Sequence, residues 1–339
     1  MLNLVWERRP TYNNTSSISK NKVFTILKLI YYVVFAILYG MVGSLSDIIL
    51  VNSTWTYNHI SYLWRYHGFF TFSNKKLEER MSSNNITMKN KRDKTGKIHV
   101  VYPPCDISTV NHDKGKEGND DTDHRENYIV SIGQFRPEKD HAKQIKSFAK
   151  LLDDEKSSNK GNDQKNNPQP SNVKLLLIGS CRNESDYNRV KQLQILAYKT
   201  LKIPTSKVDF IINEPYPVLQ KYMATSLIGL HTMWNEHFGI SIVEMMSNGL
   251  ITIGHNSGGP KSDIITVPPQ QVSSSRHSEV QRTGYLAHTE DEYVHSFREI
   301  LSLNDKERKK IRDAAKISCE RFSDDVFMHE FKFYLLAII

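Results

Sequence analysis

Two glutamates in the stretch HTMWNEHFGISIVEMMSNG, residues 231–249, are placed to work on one ligand. Glu236 comes just before an apolar segment that reads as a helix beginning near Phe238 or Gly239, and Glu244 lies about one and a half turns inside it. The run LIGLHT, 227–232, reads as the strand before them. In an open parallel sheet, ligands sit at the C-terminal ends of strands against helix N-termini. The unpaired amides of a first helical turn make a site for phosphate. Carboxylates beside a phosphate repel it unless they face something else, and sugar hydroxyls are the natural target. The pair therefore points to a nucleotide-sugar, with Glu236 on the sugar, Glu244 on the ribose and the helix end on the phosphates. A capping Glu236 with a solvent-facing Glu244 is the plain alternative, and the motif by itself leaves both open.

Two neighbouring stretches favour the first reading. GQFRPEKDH, 133–141, places Arg136 and Lys139 at the end of another strand, where cations would meet a diphosphate. HNSGGP, 255–260, puts Gly258 and Gly259 after a third strand, and glycine lets a backbone come close to a ligand. His237 and His255 fall near the same place, where packing or hydrogen bonding is the ordinary role and proton transfer the alternative.

The elements that must position these residues follow a repeating pattern. YIVSIGQF (128–135), VKLLLIGS (173–180), VDFII (208–212), LIGLHT (227–232) and LITIGH (250–255) are apolar throughout, and a helical segment follows each. The first of those helices is expected from Glu138. Strands of this kind alternating with helices predict a parallel sheet covered on both faces, an α/β fold. Earlier in the chain, DIILV and KIHVVYPPCDI read as short strands, with a helix capped near Ser53 or Thr54 between them. Residues 290–339 read as helical.

Composition narrows the partners. The chain has 339 residues, a formal net charge of +8 and 39% hydrophobic residues. The basic balance favours an anionic partner, but the basic stretch 75–97 reads as solvated loop, and no basic helix with interleaved aromatics supports nucleic acid. Cys105, Cys181 and Cys319 are too far apart for a disulfide framework or a metal knuckle, which suits a reducing compartment. The sequons at Asn52, Asn85 and Asn183 read as accidents of an Asn-rich chain. Asp121 and Asp123 sit in so polar a tract that solvated linker outweighs metal site. Residues Leu29 to Ser46 are uncharged, eighteen in all, at the lower edge of a membrane span. Tyrosines, glycines and serines within them equally suit a helix lying in the membrane interface or packed in a domain.

The motif E-x-F-G-x-x-x-x-E after a strand, with P-E-K upstream and G-G after the next strand, resembles the donor domain of family-4 retaining glycosyltransferases of the GT-B fold. Within them, VNSTWTYNHI, VVYPPCDI, IGQFRPEKDHAKQIKSF and LHTMWNEHFGISIVEMMSNGLITIGHNSGGPKSDII are similar to the GDP-mannose-dependent α-1,2-mannosyltransferases of the dolichol pathway. The resemblance implies one complete Rossmann-like donor domain and part of a second. It implies transfer of mannose from GDP-mannose, with retention, to a dolichol-diphosphate-linked oligosaccharide on the cytosolic face of the endoplasmic reticulum. Carried over by position, Glu236 binds the transferred mannose, Glu244 the ribose, the amides of Phe238 and Gly239 the mannose and phosphates, and Lys139 the diphosphate. Gln134 stands where many members carry arginine, and Arg136 is the candidate to supply that charge. No metal or other cofactor is expected, and the membrane surface and other mannosyltransferases of the pathway are the expected partners besides the substrates.

The implied organisation is an unmatched segment 1–22, a partial acceptor-side domain 23–110 containing an apolar helix 29–46, and a polar linker 111–127. A donor domain 128–322 with an insertion at 153–172 follows, then a C-terminal helix 323–339. The family's full N-terminal domain has a Gly-rich loop that is not seen before Leu29, so the chain reads as N-terminally truncated. A catalytically silent donor-binding or scaffold chain is the alternative to an active transferase.

Overall fold

The apolar runs expected to be strands line up in parallel in a computed structural model of the chain, and each positions a loop at one end of the sheet. Residues 21–43, 45–46, 48–64, 97–107, 125–158, 172–266 and 281–338 are described. Residues 1–20, the basic stretch up to 96, Asn85, Asp121, Asp123, the linker up to 124 and most of the insertion (159–171) lie outside them. The described residues fall into two units, one up to Pro103 together with the chain from Asp324, the other Pro104–Ser323.

The first unit begins with α1 (Lys22–Gly43), followed by β1 (Ile49–Val51), α2 (Thr54–Leu63) and β2 (Ile98–Val100). The expected apolar helix thus starts seven residues earlier than Leu29 and stops at Gly43, short of Ser46. Asn21 accounts for the early start, since its side chain accepts from the amide of Val23 (2.9 Å) and caps the first turn. Thr25 and Gly43 are the buried residues of α1, and side chains such as Val23, Ile30, Phe35 and Leu38 are exposed. Packing within this unit is therefore not what covers α1. Ser53 caps α2 by accepting from the Thr56 amide at 3.0 Å. β1 and β2 pair in parallel, Ile49 opposite Ile98, and Val51, Tyr57, Ile60, Trp64 and Ile98 form a small core beneath α2. The C-terminal helix, Asp324–Ile338, belongs here, with Tyr334 stacked on His99 at 4.4 Å.

The second unit carries the large sheet. Its elements run β3 (Glu126–Ile132), α3 (His141–Ser158), β4 (Lys174–Gly179), α4 (Glu184–Gln194), β5 (Val208–Ile212), α5 (Tyr216–Thr225), β6 (Ser226–Leu230), α6 (Ile240–Ser247), β7 (Ile251–His255), β8 (Tyr285–Ala287), α7 (Glu290–Ser302) and α8 (Asp305–Cys319). All pairings are parallel, in the order β5-β4-β3-β6-β7-β8. The chain builds outward from β3 to β5, crosses back to β6 and builds outward again to β8. That reversal, between β3 and β6, is where open α/β sheets bind ligands.

Three local departures from expectation have plain causes. The helix expected from Glu138 begins at His141, because Pro137–Lys139 forms a 3-10 turn and Asp140 takes a left-handed conformation (φ 50°). The run Val190, Leu193, Ala197 is not one α-helix: α4 passes into a wider π turn at Ile195–Thr200, which still buries Ala197. The edge strand β8 was not expected, since three residues are too few to show a period. α7 and α8 open with reciprocal caps, Thr289 with Glu292 and Asn304 with Glu307.

One side chain outside the apolar pattern ties this unit together. Arg125, just before β3, donates through Nη1 to the carbonyls of Met223 (3.0 Å) and Ser226 (2.9 Å), and through Nη2 to that of Asn248 (2.8 Å). These carbonyls close the C-terminal ends of α5 and α6, which a helix cannot satisfy itself. Replacing Arg125 by Ala should lower stability by about 2–3 kcal/mol, since bonds to a charged donor are worth about 1.5–3 kcal/mol each and these are partly exposed. Urea unfolding measures it, and an unchanged midpoint would remove Arg125 from the framework.

Candidate functional site

Both loops at the sheet reversal are shaped before their side chains meet. After β6, Asn235 adopts a left-handed conformation (φ 51°), and its amide donates to Ser257 Oγ at 2.9 Å. Ser257 is in turn bound to His255 Nδ1 at 2.8 Å. The amide of Gly259 donates to the carbonyl of Glu236 at 2.8 Å, so the loop after β7 holds the loop that carries Glu236. Gly258 and Gly259 make this possible. A Cβ on Gly258 would strike the Glu236 backbone, and one on Gly259 would lie 2.5 Å from the carbonyl of His237. The room these glycines leave is filled by protein backbone, so they shape the site through the Glu236 loop.

α6 opens at Gly239, whose φ of 116° suits glycine, and no side chain caps its first turn. The Ile242 amide is taken by the Gly239 carbonyl at 2.9 Å, and the amides before it in the turn have no side-chain acceptor. Phe238 is buried, its ring edge-on to Phe322 at 5.2 Å and its backbone packed against Gly259.

Lys139 comes from the 3-10 turn beyond β3, and its stem passes over Gly133, where a Cβ would lie 3.6 Å from Lys139 Cδ. Its ammonium lies 2.6 Å from Glu236 Oε2, with both side chains largely buried. Thr232 fixes the two loops relative to each other. Its hydroxyl donates to the Lys139 carbonyl at 2.8 Å and accepts from Gln144 Nε2 at 2.9 Å. Glu236 Oε1 accepts the amide of His237 at 3.2 Å.

His231 is the residue that the sequence analysis passed over. Its ring is 4% exposed and its Nε2 lies 3.3 Å from Glu236 Oε2. Burial would raise the Glu236 carboxyl, but His231 and the Lys139 charge outweigh it and hold the group down to about 2. Glu236 is therefore an anion. Burial pushes the His231 ring below its ordinary value, against the pull of Glu236, so the ring is neutral. A signal for both His231 and Thr232 existed: they are the first polar residues after an apolar strand, where sites form.

The remaining predicted residues are distributed as follows. Arg136 pairs with Glu138 (3.5 Å) and makes no ion pair with Glu236. Glu244 lies half-buried, and burial and the nearby Asp106 raise its carboxyl. Tyr216 donates to Asp106 Oδ2 at 3.2 Å, and burial, Glu244 and Asp106 push its phenol up to about 12. Glu244, Asp106 and Tyr216 thus form a second, acceptor-rich cluster. His255 is buried and committed to Ser257, with His288 edge-on at 4.9 Å, and burial first, then Lys143 and His288, lower it to about 4. His237 is exposed. Among the described residues, no group of three or more His, Cys, Asp and Glu side chains could hold a metal ion.

Comparison with known families matches two separate parts of the chain. Residues 1–64 match the family described as "ALG11 mannosyltransferase N-terminus", and residues 116–318 match "Glycosyl transferases group 1". A Xenopus laevis protein named GDP-Man:Man(3)GlcNAc(2)-PP-Dol alpha-1,2-mannosyltransferase is 43% identical over 336 residues, covering 98% of this chain and 57% of its own length. The human protein of that name is 40% identical over 327 residues, covering 96% of this chain and 56% of its own. The chain thus spans a little over half the length of these relatives. Among solved structures, Anabaena Alr3699/HepE in complex with UDP and glucose aligns at a TM-score of 0.55 and 16% identity, covering 86% of this chain and 64% of that one. An α,α-trehalose-phosphate synthase (UDP-forming) from Burkholderia xenovorans aligns at 0.53 and 12%, covering 71% and 52%. These structural likenesses show an α/β fold of the GT-B glycosyltransferase type. With its group 1 match spanning the whole six-stranded sheet, the chain belongs to the group 1 glycosyl transferases.

Proposed function

We propose that the chain binds GDP-mannose and transfers its mannose in α-1,2 linkage, with retention, to a dolichol-diphosphate-linked oligosaccharide. The observation that carries the reading is the Lys139–Glu236 pair at the uncapped mouth of α6. A cation, a helix mouth without a side-chain cap and an ionised carboxylate meet there, which is what a diphosphate joined to a sugar requires. The names of the relatives supply the sugar and the acceptor.

In this reading the diphosphate draws the Lys139 ammonium from Glu236, and the first amides of α6 take its remaining charge. Lys139 and the helix end then stabilise the departing GDP, with Arg136 adding charge at the same strand end. Glu236, released from Lys139, accepts a hydrogen bond from a mannose hydroxyl and sets the ring for attack. Glu244 accepts from the ribose. Gly258 and Gly259 act by holding the Glu236 loop.

α1 supports a reaction at a membrane. It has 22 residues, most of its apolar side chains are exposed, and at about 1.5 Å per residue it reaches about 33 Å. That is enough to cross or to line a hydrocarbon layer of about 30 Å. The endoplasmic reticulum membrane, on its cytosolic face, is the location that a dolichol-linked acceptor implies, where other mannosyltransferases of the pathway would be neighbours.

Calorimetric titration of the full chain tests the donor site. Lys139→Ala should weaken GDP about tenfold or more, the loss expected for one charge-assisted contact. Glu236→Ala should abolish transfer yet leave GDP binding equal or tighter, because Lys139 is no longer held by the carboxylate. Glu244→Ala should weaken GDP and GDP-mannose alike. Undiminished GDP binding in the Lys139 variant would refute the phosphate role, and wild-type transfer by the Glu236 variant would refute the sugar role. Donor binding with no transfer by the wild-type chain would favour the donor-binding scaffold instead.

Flotation tests the membrane assignment. The chain should rise with vesicles of neutral phospholipid, and deletion of residues 22–43 should leave it at the bottom of the gradient. Equal flotation after the deletion would exclude α1 as the anchor.

A further inference from the structure

We propose that His231 is the positioning residue for Glu236, taking hold of the carboxylate when a donor diphosphate draws Lys139 away. The inference rests on the donor-site reading above and adds a residue to it.

Lys139 and His231 converge on the same oxygen, Glu236 Oε2, at 2.6 and 3.3 Å. The ammonium is the nearer, and the imidazole is not aligned: both ring nitrogens of His231 are buried with no hydrogen-bond partner in good geometry. Such a group is costly to bury unless it gains a partner at some stage of the working cycle. Active-site hydrogen bonds are often long or poorly aligned before a ligand arrives and tighten in the complex. The partner within reach is Glu236.

His231 is also the fixed member of the pair. Its amide donates to the Ile253 carbonyl at 2.9 Å and its own carbonyl accepts from Tyr293 OH at 3.1 Å, so the backbone that carries the ring is held on both sides. Glu236 instead sits on a loop and can turn its carboxylate. A small rotation would exchange the Lys139 bond for one donated by His231 Nε2, in the tautomer that carries its proton there. Oε1, which accepts the His237 amide, would then offer its second lone pair to the sugar.

The exchange matters because Lys139 cannot serve the diphosphate and Glu236 at full strength together. Glu236 without any partner would be a partly buried carboxylate, and burial favours its protonated form. A protonated acid would present a donor where an acceptor is needed. The groups facing His231 are Lys139, Glu236, His141 and His255. Of these Glu236 is the anion, and at 3.3 Å its Oε2 is the charged acceptor for a neutral His231 with its proton on Nε2.

The test compares His231→Leu with His231→Gln in the full chain, since Gln keeps a donor near the place of Nε2. GDP and GDP-mannose are titrated separately, and circular dichroism monitors the fold. His231→Leu should bind GDP within about twofold of wild type but lose about tenfold in GDP-mannose relative to GDP, the effect of one bond to a charged group. His231→Gln should recover most of that ratio. The acid limb of donor binding should move to higher pH in the Leu variant and return with Gln. An unchanged GDP-mannose to GDP ratio in His231→Leu would overturn the proposal. A folded His231→Gln no better than His231→Leu would do the same, since packing alone would then explain the site. Wild-type chain that binds neither ligand would overturn the donor reading itself, an outcome distinguishable from either of these.

Discussion

A largely buried carboxylate stays ionised only when its partners outweigh the loss of water, and at Glu236 the His231 ring and the Lys139 ammonium at 2.6 Å together do so. The two residues are 97 positions apart and come from loops after different strands. Their meeting depends on β3 and β6 being neighbours, which in turn depends on the chain reversing its direction of sheet building at that place. The rest of the unit can be read as support for this contact. Apolar residues that are fully buried, among them Ile129, Leu175, Ile228 and Ile253, hold the strands. The loops at their ends remain polar and set the pair.

Those loops are fixed to a degree that binding sites on loops rarely are without secondary contacts. Thr232 joins the Lys139 turn to the end of β6, Gln144 holds Thr232, and Ser257 and Gly259 hold the Glu236 loop from the far side. Such support keeps functional groups where their geometry is useful and spares the cost of ordering them when a ligand arrives. Phe238 adds an apolar anchor between the two charged features, so the backbone at the mouth of α6 cannot drift.

Much of this was legible in the sequence, and unevenly. The five long strands were visible because each is an uninterrupted apolar run, and the order of strand and helix implied parallel pairing. Glu236, Glu244 and Lys139 were visible because charge at a strand end is conspicuous. The pairing of Lys139 with Glu236 was not, because spacing along the chain says nothing about which loops adjoin across a sheet. His231 and Arg125 escaped for a related reason. Each acts through a contact distant in sequence, and a lone histidine after a strand is ordinarily a packed one. The glycines illustrate a subtler limit: Gly258 and Gly259 signalled close approach correctly, but the approaching group is the neighbouring loop. β8 and the π turn after α4 were hidden by brevity and by an α-like pattern of burial.

Asp106 alters what the Glu244 end of the site can tolerate. Two carboxylates and a phenol whose O–H donates to Asp106 leave lone pairs as the principal feature of that patch. A neutral hydroxyl arriving there is received as a donor. A phosphorylated hydroxyl in the same place would bring its charge against that of the half-buried Glu244 and the exposed Asp106. If Glu244 receives the ribose as proposed, the cluster would act as a charge filter, favouring nucleosides with an unmodified ribose over those phosphorylated on the sugar ring.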